Sequence, residues 1–256
     1  MTPLELLRPR RGGAVLAGRA RTMAPPVGIA NQGESCLAWD RGSGRPLGPV
    51  IVWQDERTLD ATERLRAAGA EALTLARAGL PLDPYFSASK LGWMLANLPE
   101  VAAAARAGRL CLGTTDAFFR HRLTGRFETD VATASRTALM DLARCRWDEE
   151  LCALFGVPAE ALPAITPTAG ALGETAPGGL PLTASIVDQQ AALRGHGCRA
   201  PGDAKITFGT GAFVLAVAGP DCPAAGRGRC PPSPGPAPGA GRSMRWMGAS
   251  MPRPPR

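Results

Sequence analysis

The residues best placed to do chemistry in this chain of 256 are two carboxylates and a few aromatic rings. Asp188 follows the apolar run Ala-Ser-Ile-Val at 184–187 and opens Asp-Gln-Gln-Ala-Ala-Leu-Arg-Gly-His-Gly, which reads as a turn into a helix. It therefore stands at the carboxyl end of a predicted strand, where α/β proteins place reacting groups. A purely structural reading makes it the cap of that helix, and both readings can hold at once. The stretch from Gly28 to Thr58 puts Glu34, a pair of loop glycines and Trp53 on neighbouring strand ends. An acid beside an apolar ring suits a small polyhydroxylated molecule, whose hydroxyls need polar partners and whose C–H edges need apolar cover. Taken alone, Trp53 and Phe213 read as core residues, Tyr85 as an interface ring, and Gly209-Thr210-Gly211 as a hairpin bend.

The elements that must position these residues follow from apolar spacing and breakers. Val-Ile-Val-Trp at 50–53, entered through Pro49, predicts a buried strand. Residues 59–79, rich in Ala, Leu, Glu and Arg, predict one helix stopped at Gly79. A second helix is predicted over 87–100, with Ser87 as its cap and Trp93 and Met94 in the core. Leu110 to Leu112 reads as a strand and 114–125 as a helix closed by Gly125, with His121 on a solvated face between Arg120 and Arg122. A short helix at 147–156 precedes the loop-like passage 158–182. Two strands follow at 204–219, joined by the Gly-Thr-Gly bend. From Pro220 to Arg256 ten residues are proline, so a disordered tail is expected.

Composition narrows the classes. An apolar share of 45% supports a sizeable core in one or two domains. The net charge of +7 sits at the ends: residues 1–27 and 219–256 together carry +9, leaving about −2 in the centre. A nucleic-acid-binding body is not expected, since no basic stripe interleaved with aromatics crosses the middle. The seven cysteines form no C-x-x-C pair and there are only two histidines, so no metal site is expected and the thiols suit a reducing cytoplasm. No apolar run is long enough for a membrane span. The Arg-rich start is broken by Pro3, Pro9, Gly12 and Gly13, which argues against a targeting helix.

Six spaced segments share an order: NQGES at 31–35, VIVWQDERT at 50–58, DPYFSASKLGWML at 83–95, GTTDAFFRHRLTGRFETDVATASRT at 113–137, VDQQAALRGHG at 187–197 and FGTGAFVLAVAG at 208–219. Together they resemble the glycerol kinase branch of the FGGY carbohydrate kinases over about 28–218. The resemblance implies an α/β protein of the actin-like, RNase H-like ATPase fold, present incompletely. It implies an unmatched leader at 1–27, most of the substrate domain at 28–183, the start of the ATP-binding domain at 184–219, and the tail at 220–256. It also implies phosphorylation of a small polyol by ATP with Mg2+ in the cytoplasm. Asp188 matches the general base, which must reach the attacking hydroxyl at about 2.6–3.2 Å. Glu34, Tyr85 and Gln189 match residues that hydrogen-bond substrate hydroxyls, and Trp53 and Phe213 those that cover its carbon face. Gly209 and Thr210 match the nucleotide-phosphate turn, where backbone N–H groups approach anionic oxygens. Homo-oligomerisation is left open.

Two departures qualify the match. Gly33 stands where the family has an arginine, so a guanidinium fork is lost and a larger polyol such as a tetritol becomes a candidate substrate. The family's opening phosphate loop and the rest of its ATP-binding half also have no counterpart, which leads us to expect exposed sheet edges and little phosphoryl transfer. A non-catalytic polyol-binding module or a non-functional remnant is the alternative. In the tail, Met and Trp have single codons; read one base earlier, Met244–Gly248 and the preceding triplet allow Tyr-Ala-Leu-Asp-Gly, which is family-like. A reading-frame shift just after Gly219 accounts for this, and sequencing the coding DNA decides it.

Overall fold

The computed structural model describes residues 25–208, 212–218, 229–230 and 246–250. The chain begins with strands β1 (Val27–Asn31) and β2 (Cys36–Asp40), followed by helices α1 (Leu59–Ala67), α2 (Glu71–Arg77), α3 (Ser87–Asn97) and α4 (Pro99–Arg106). Next come β3 (Leu110–Thr114), α5 (Thr115–Thr124), β4 (Glu128–Asp130), the short α6 (Val131–Ala134), β5 (Met140–Asp141), β6 (Arg146–Trp147), α7 (Glu149–Leu154) and β7 (Ala164–Thr166). The last part holds β8 (Leu182–Val187), α8 (Asp188–Gly195), β9 (Ala204–Phe208), β10 (Ala212–Val217), β11 (Arg229–Cys230) and β12 (Trp246–Ser250).

One pairing organises the functional region. β1 runs parallel to β8 with Asn31 opposite Val187, so both carboxyl ends finish at the same edge. The residues that leave those ends, Gly33–Glu34 and Asp188, are thereby neighbours. β2 pairs antiparallel with β3, and β9 with β10. Trp39 on β2 is fully buried, with the rings of Phe118 and Phe127 edge-on at 5.4 Å each. α3 and α4 cover the other side of β2 and β3 through Ala88, Leu91, Met94, Val101 and Ala104, which with Leu112 and Leu139 form the largest apolar cluster.

Several local expectations are corrected. The single helix over 59–79 is two, because Gly69 turns to φ +81° and the Ala70 N–H reaches back to Leu65 O, ending α1. The helix over 87–100 ends at Asn97; Leu98 precedes a proline and is extended, and Pro99 starts α4. Phe86 takes the cap position of α3, leaving Ser87 as its first residue. Of Val-Ile-Val-Trp, Ile51 alone makes a bridge, to Cys36, before Asp55 N turns back on Val52 O. His121 is half-buried: its Nδ1 accepts from Trp39 Nε1 at 2.9 Å, and burial with two nearby arginines pushes its pKa down. In the tail, Arg229–Cys230 and Trp246–Ser250 are strands, the latter antiparallel to β10. The rest of the tail and the Gly209-Thr210-Gly211 bend lie outside the described residues.

Behind β1 lies a fully buried acidic pair. Asp130 caps α6 through the N–H groups of Ala132 and Thr133 and accepts from Thr168; Asp116 accepts from Thr114 and Thr129. Burial, then the charge of Asp116, pushes Asp130 up to about 6. A carboxyl raised by folding lends stability that is complete below its unfolded pKa near 4 and is lost as pH rises through about 6. The loss is on the order of 3 kcal/mol for such a shift. Asp130→Asn keeps an accepting cap oxygen and removes the titration. Its urea midpoint is expected to vary less between pH 5 and 7 than the parent's; parallel profiles would refute the assignment.

Candidate functional site

The site is built at the shared edge of β1 and β8. Leaving β1, the backbone turns through Gly33 and Glu34, and Glu34 takes φ +59°, an unusual conformation for a residue with a side chain. Gly33 is buried, and a Cβ there would lie 2.7 Å from Val187 Cγ2. The absence of a side chain at 33 and the valine that ends β8 therefore go together. The Gly33 N–H also donates to the Asp188 carboxylate, tying the two strand ends at the acid itself.

Asp188 is half-buried as the first residue of α8, with Val187 as the N-cap. Its Oδ1 accepts from the Gln189 N–H at 2.7 Å. Burial raises its pKa, opposed by those two N–H groups and by the charge of Lys205. A basic carboxylate held by donors on one side can take a proton on the other.

Glu34 is almost wholly buried, and Arg136 Nε donates to its Oε1 at 2.7 Å. Burial raises its pKa; Arg136 opposes this, and the charge of Asp188 adds to it, so the two acids are close enough to feel each other. The Arg136 guanidinium also lies over the rings of Tyr85 (6.0 Å) and Phe86 (5.1 Å). Tyr85 is raised by burial and by Glu34, while a hydrogen bond from Arg136 counters.

Three half-buried rings line up across the site. Trp53 meets Tyr85 edge-on at 5.4 Å and Phe213 of β10 edge-on at 5.9 Å. The Trp53 N–H is held by Ser35 Oγ at 3.2 Å, next to Glu34 in the chain. Beneath them Lys90 of α3 is fully buried, and its ammonium donates to the carbonyls of Tyr85 (2.9 Å), Val52 (3.4 Å) and Trp53 (3.5 Å). Ser87 Oγ, also on α3, donates to Glu34 O at 3.0 Å.

The structure thus gathers Glu34, Trp53, Tyr85, Asp188, Gln189 and Phe213, whereas Gly209 and Thr210 fall outside the described residues. Arg136, Lys90 and Lys205 belong to the same neighbourhood and were missed in the sequence. Arg136 lies inside the quoted 113–137 segment, so membership of a matched segment was its one signal. Among the described residues, no group of three or more His, Cys, Asp or Glu could hold a metal, and no helix is long and apolar enough to cross a membrane.

Comparisons with known proteins give the family and the fold. Residues 23–193 match the family model for the N-terminal domain of the FGGY family of carbohydrate kinases. A glycerol kinase of Thermus brockianus is 48% identical over 195 residues, covering 74% of this chain and 39% of that protein. A glycerol kinase of Rhizorhabdus wittichii is 46% identical over 225 residues, covering 83% and 44%. The chain therefore spans well under half the length of these relatives. Among solved structures, Plasmodium falciparum glycerol kinase with ADP matches with a TM-score of 0.80 at 30% identity, covering 88% of this chain and 46% of that one. Xylulose kinase from Rhodospirillum rubrum, at 23% identity and a TM-score of 0.74 over 91% and 48%, shows the same fold alone.

Proposed function

The chain belongs to the FGGY family of carbohydrate kinases, and from that membership we propose that it binds a small polyol at the Glu34–Asp188 edge and serves ATP-dependent phosphorylation of one of its hydroxyls. The observation that carries the reading is the adjacency of Asp188 and Glu34 beside the Trp53–Tyr85–Phe213 rings. The rings cover the carbon face of the polyol, Glu34, Tyr85 and Gln189 hold hydroxyls, and Asp188 accepts the proton of the attacking one. Because Gly33 brings no guanidinium to select glycerol, another small polyol such as a tetritol is a candidate substrate beside glycerol.

ATP supplies the phosphoryl group, with Mg2+ as counter-ion to its phosphates. β9 and β10 frame the connection that carries Gly209 and Thr210, with Phe208 opposite Ala212, and those two residues are assigned to the phosphates by the family match. The proposed setting is the cytoplasm, where ATP is at hand.

Calorimetric titration of the intact chain with glycerol, erythritol and ribitol tests binding, and polyol-dependent ATP consumption tests transfer. Saturable binding is expected, weakened at least about tenfold in Glu34→Gln and Asp188→Ala, since each removes a charged hydrogen bond to the ligand. Binding that ignores both substitutions, or no binding at all, would overturn the reading.

A further inference from the structure

Gln189 stands beside the proposed base, and its side chain is gripped from β9. Lys205 Nζ donates to Gln189 Oε1 at 2.8 Å, and Thr207 Oγ1 lies 3.2 Å from the same oxygen. The two grips come from one face of the strand, because residues two apart on a strand point the same way. Lys205 is also buried, at 7% exposure, so its ammonium has little water to turn to.

This arrangement removes the ambiguity of an amide side chain. Carboxamide oxygen and nitrogen usually have to be told apart from their partners. An ammonium has three donors and no acceptor, so the oxygen is the end that must face Lys205, and the Nε2 end is turned away from β9. We propose that Lys205, seconded by Thr207, is a positioning residue that locks Gln189 as a hydrogen-bond donor toward the polyol, making the paired hydroxyl an acceptor there. The proposal rests on the polyol-binding reading of Gln189 given above and adds the polarity of that contact and the residues that set it.

The polarity divides the work at the site. Asp188 can only accept when ionised, so it draws the hydroxyl whose proton must leave; Gln189 presents N–H and so takes a hydroxyl oxygen through its lone pair. A ligand group that cannot accept, such as a bare methylene in that place, leaves the amide N–H without a partner and is rejected. Lys205 also sits near enough to Asp188 to favour its ionised form, so one cation serves both neighbours.

Three variants of the full chain test this. Lys205→Met keeps length and burial but lets the amide turn over; Lys205→Arg keeps the donor; Gln189→Glu keeps an oxygen for Lys205 but has no N–H. Binding of glycerol and erythritol is expected to weaken roughly fivefold in Lys205→Met and at least about tenfold in Gln189→Glu, and to be retained in Lys205→Arg. Unchanged binding in Gln189→Glu would overturn the proposal, because an accepting amide would be replaced well by a carboxylate. A second reading needs no ligand: the Gln189 Nε2 resonance in 15N spectra, identified by its loss in Gln189→Glu, should shift in Lys205→Met and stay in Lys205→Arg. An unmoved resonance in Lys205→Met overturns the proposal whatever the polyols do. A moved resonance in a chain that binds no polyol upholds the Lys205 grip and sinks the polyol reading instead.

Discussion

Replacing Gly92 by alanine is expected to lower the stability of the protein by about 2–3 kcal/mol, seen as a fall in the urea midpoint. Gly92 sits inside α3, where alanine would ordinarily gain about 1 kcal/mol over glycine. Here the gain is outweighed: a Cβ at 92 would stand 2.1 Å from the Phe155 carbonyl oxygen and 3.3 Å from its carbon. That oxygen belongs to the backbone at the end of α7, so relief requires moving one helix against the other. Gly195, at the end of α8 with nothing within 4 Å, is the control, and Gly195→Ala should be neutral or slightly stabilising. Equal stability of Gly92→Ala and the parent would show that α3 and α7 do not approach so closely. Because α3 also carries Ser87 and Lys90, the same variant should loosen the grip on Glu34 O and the Tyr85 carbonyl and weaken polyol binding.

Arg136→Met should cost about 3–5 kcal/mol near pH 7, as expected when one partner of a buried ion pair is removed and the other charge is stranded. Glu34 is that other charge, at 7% side-chain exposure against 15% for Arg136. The sign of the pH dependence follows from Glu34, whose pKa burial has already raised and Arg136 holds back. Without the arginine it rises further. A raised acid adds stability that is full below the unfolded pKa and is lost as pH climbs through the folded one. The deficit of the variant should therefore be largest at pH 7–8 and shrink toward pH 4–5, where Glu34 takes up a proton. Denaturation of parent and variant at both ends of that range measures it; a deficit that does not change with pH would mean that Glu34 is not the stranded charge. Loss of the guanidinium over Tyr85 and Phe86 adds a pH-independent part.

Much of this was legible in the sequence where one residue's type settles its surroundings. Asp188 after an apolar run, the Gly125 stop and the strand at 110 needed only local spacing. What failed locally failed for tertiary reasons. Val50–Trp53 has the composition of a strand, yet β2 offers a bridge at Ile51 alone, and Asp55 folds back on Val52 at once. His121, flanked by two arginines, looked solvated because nothing in its own segment announces the Trp39 indole that reaches it from β2. Arg136, Lys90 and Lys205 escaped for a related cause. A lysine or arginine reads as surface until the fold wraps carbonyls, a carboxylate or an amide around it, and their partners Glu34, Tyr85 and Gln189 lie on other elements. The family resemblance supplied the residues expected to touch a ligand, and the supporting cations became visible only through contacts.

The parallel pairing of β1 with β8 has a kinetic and thermodynamic corollary. Its two strands are separated in the chain by every element from β2 to β7, so their pairing requires a long loop to be closed at an entropic cost. A sugar alcohol held by Glu34 on one strand end and Asp188 on the other would act as a removable staple across that closure. Abundant ligand would then favour the closed chain by mass action, and its depletion would leave the seam between these strands as the first place to part.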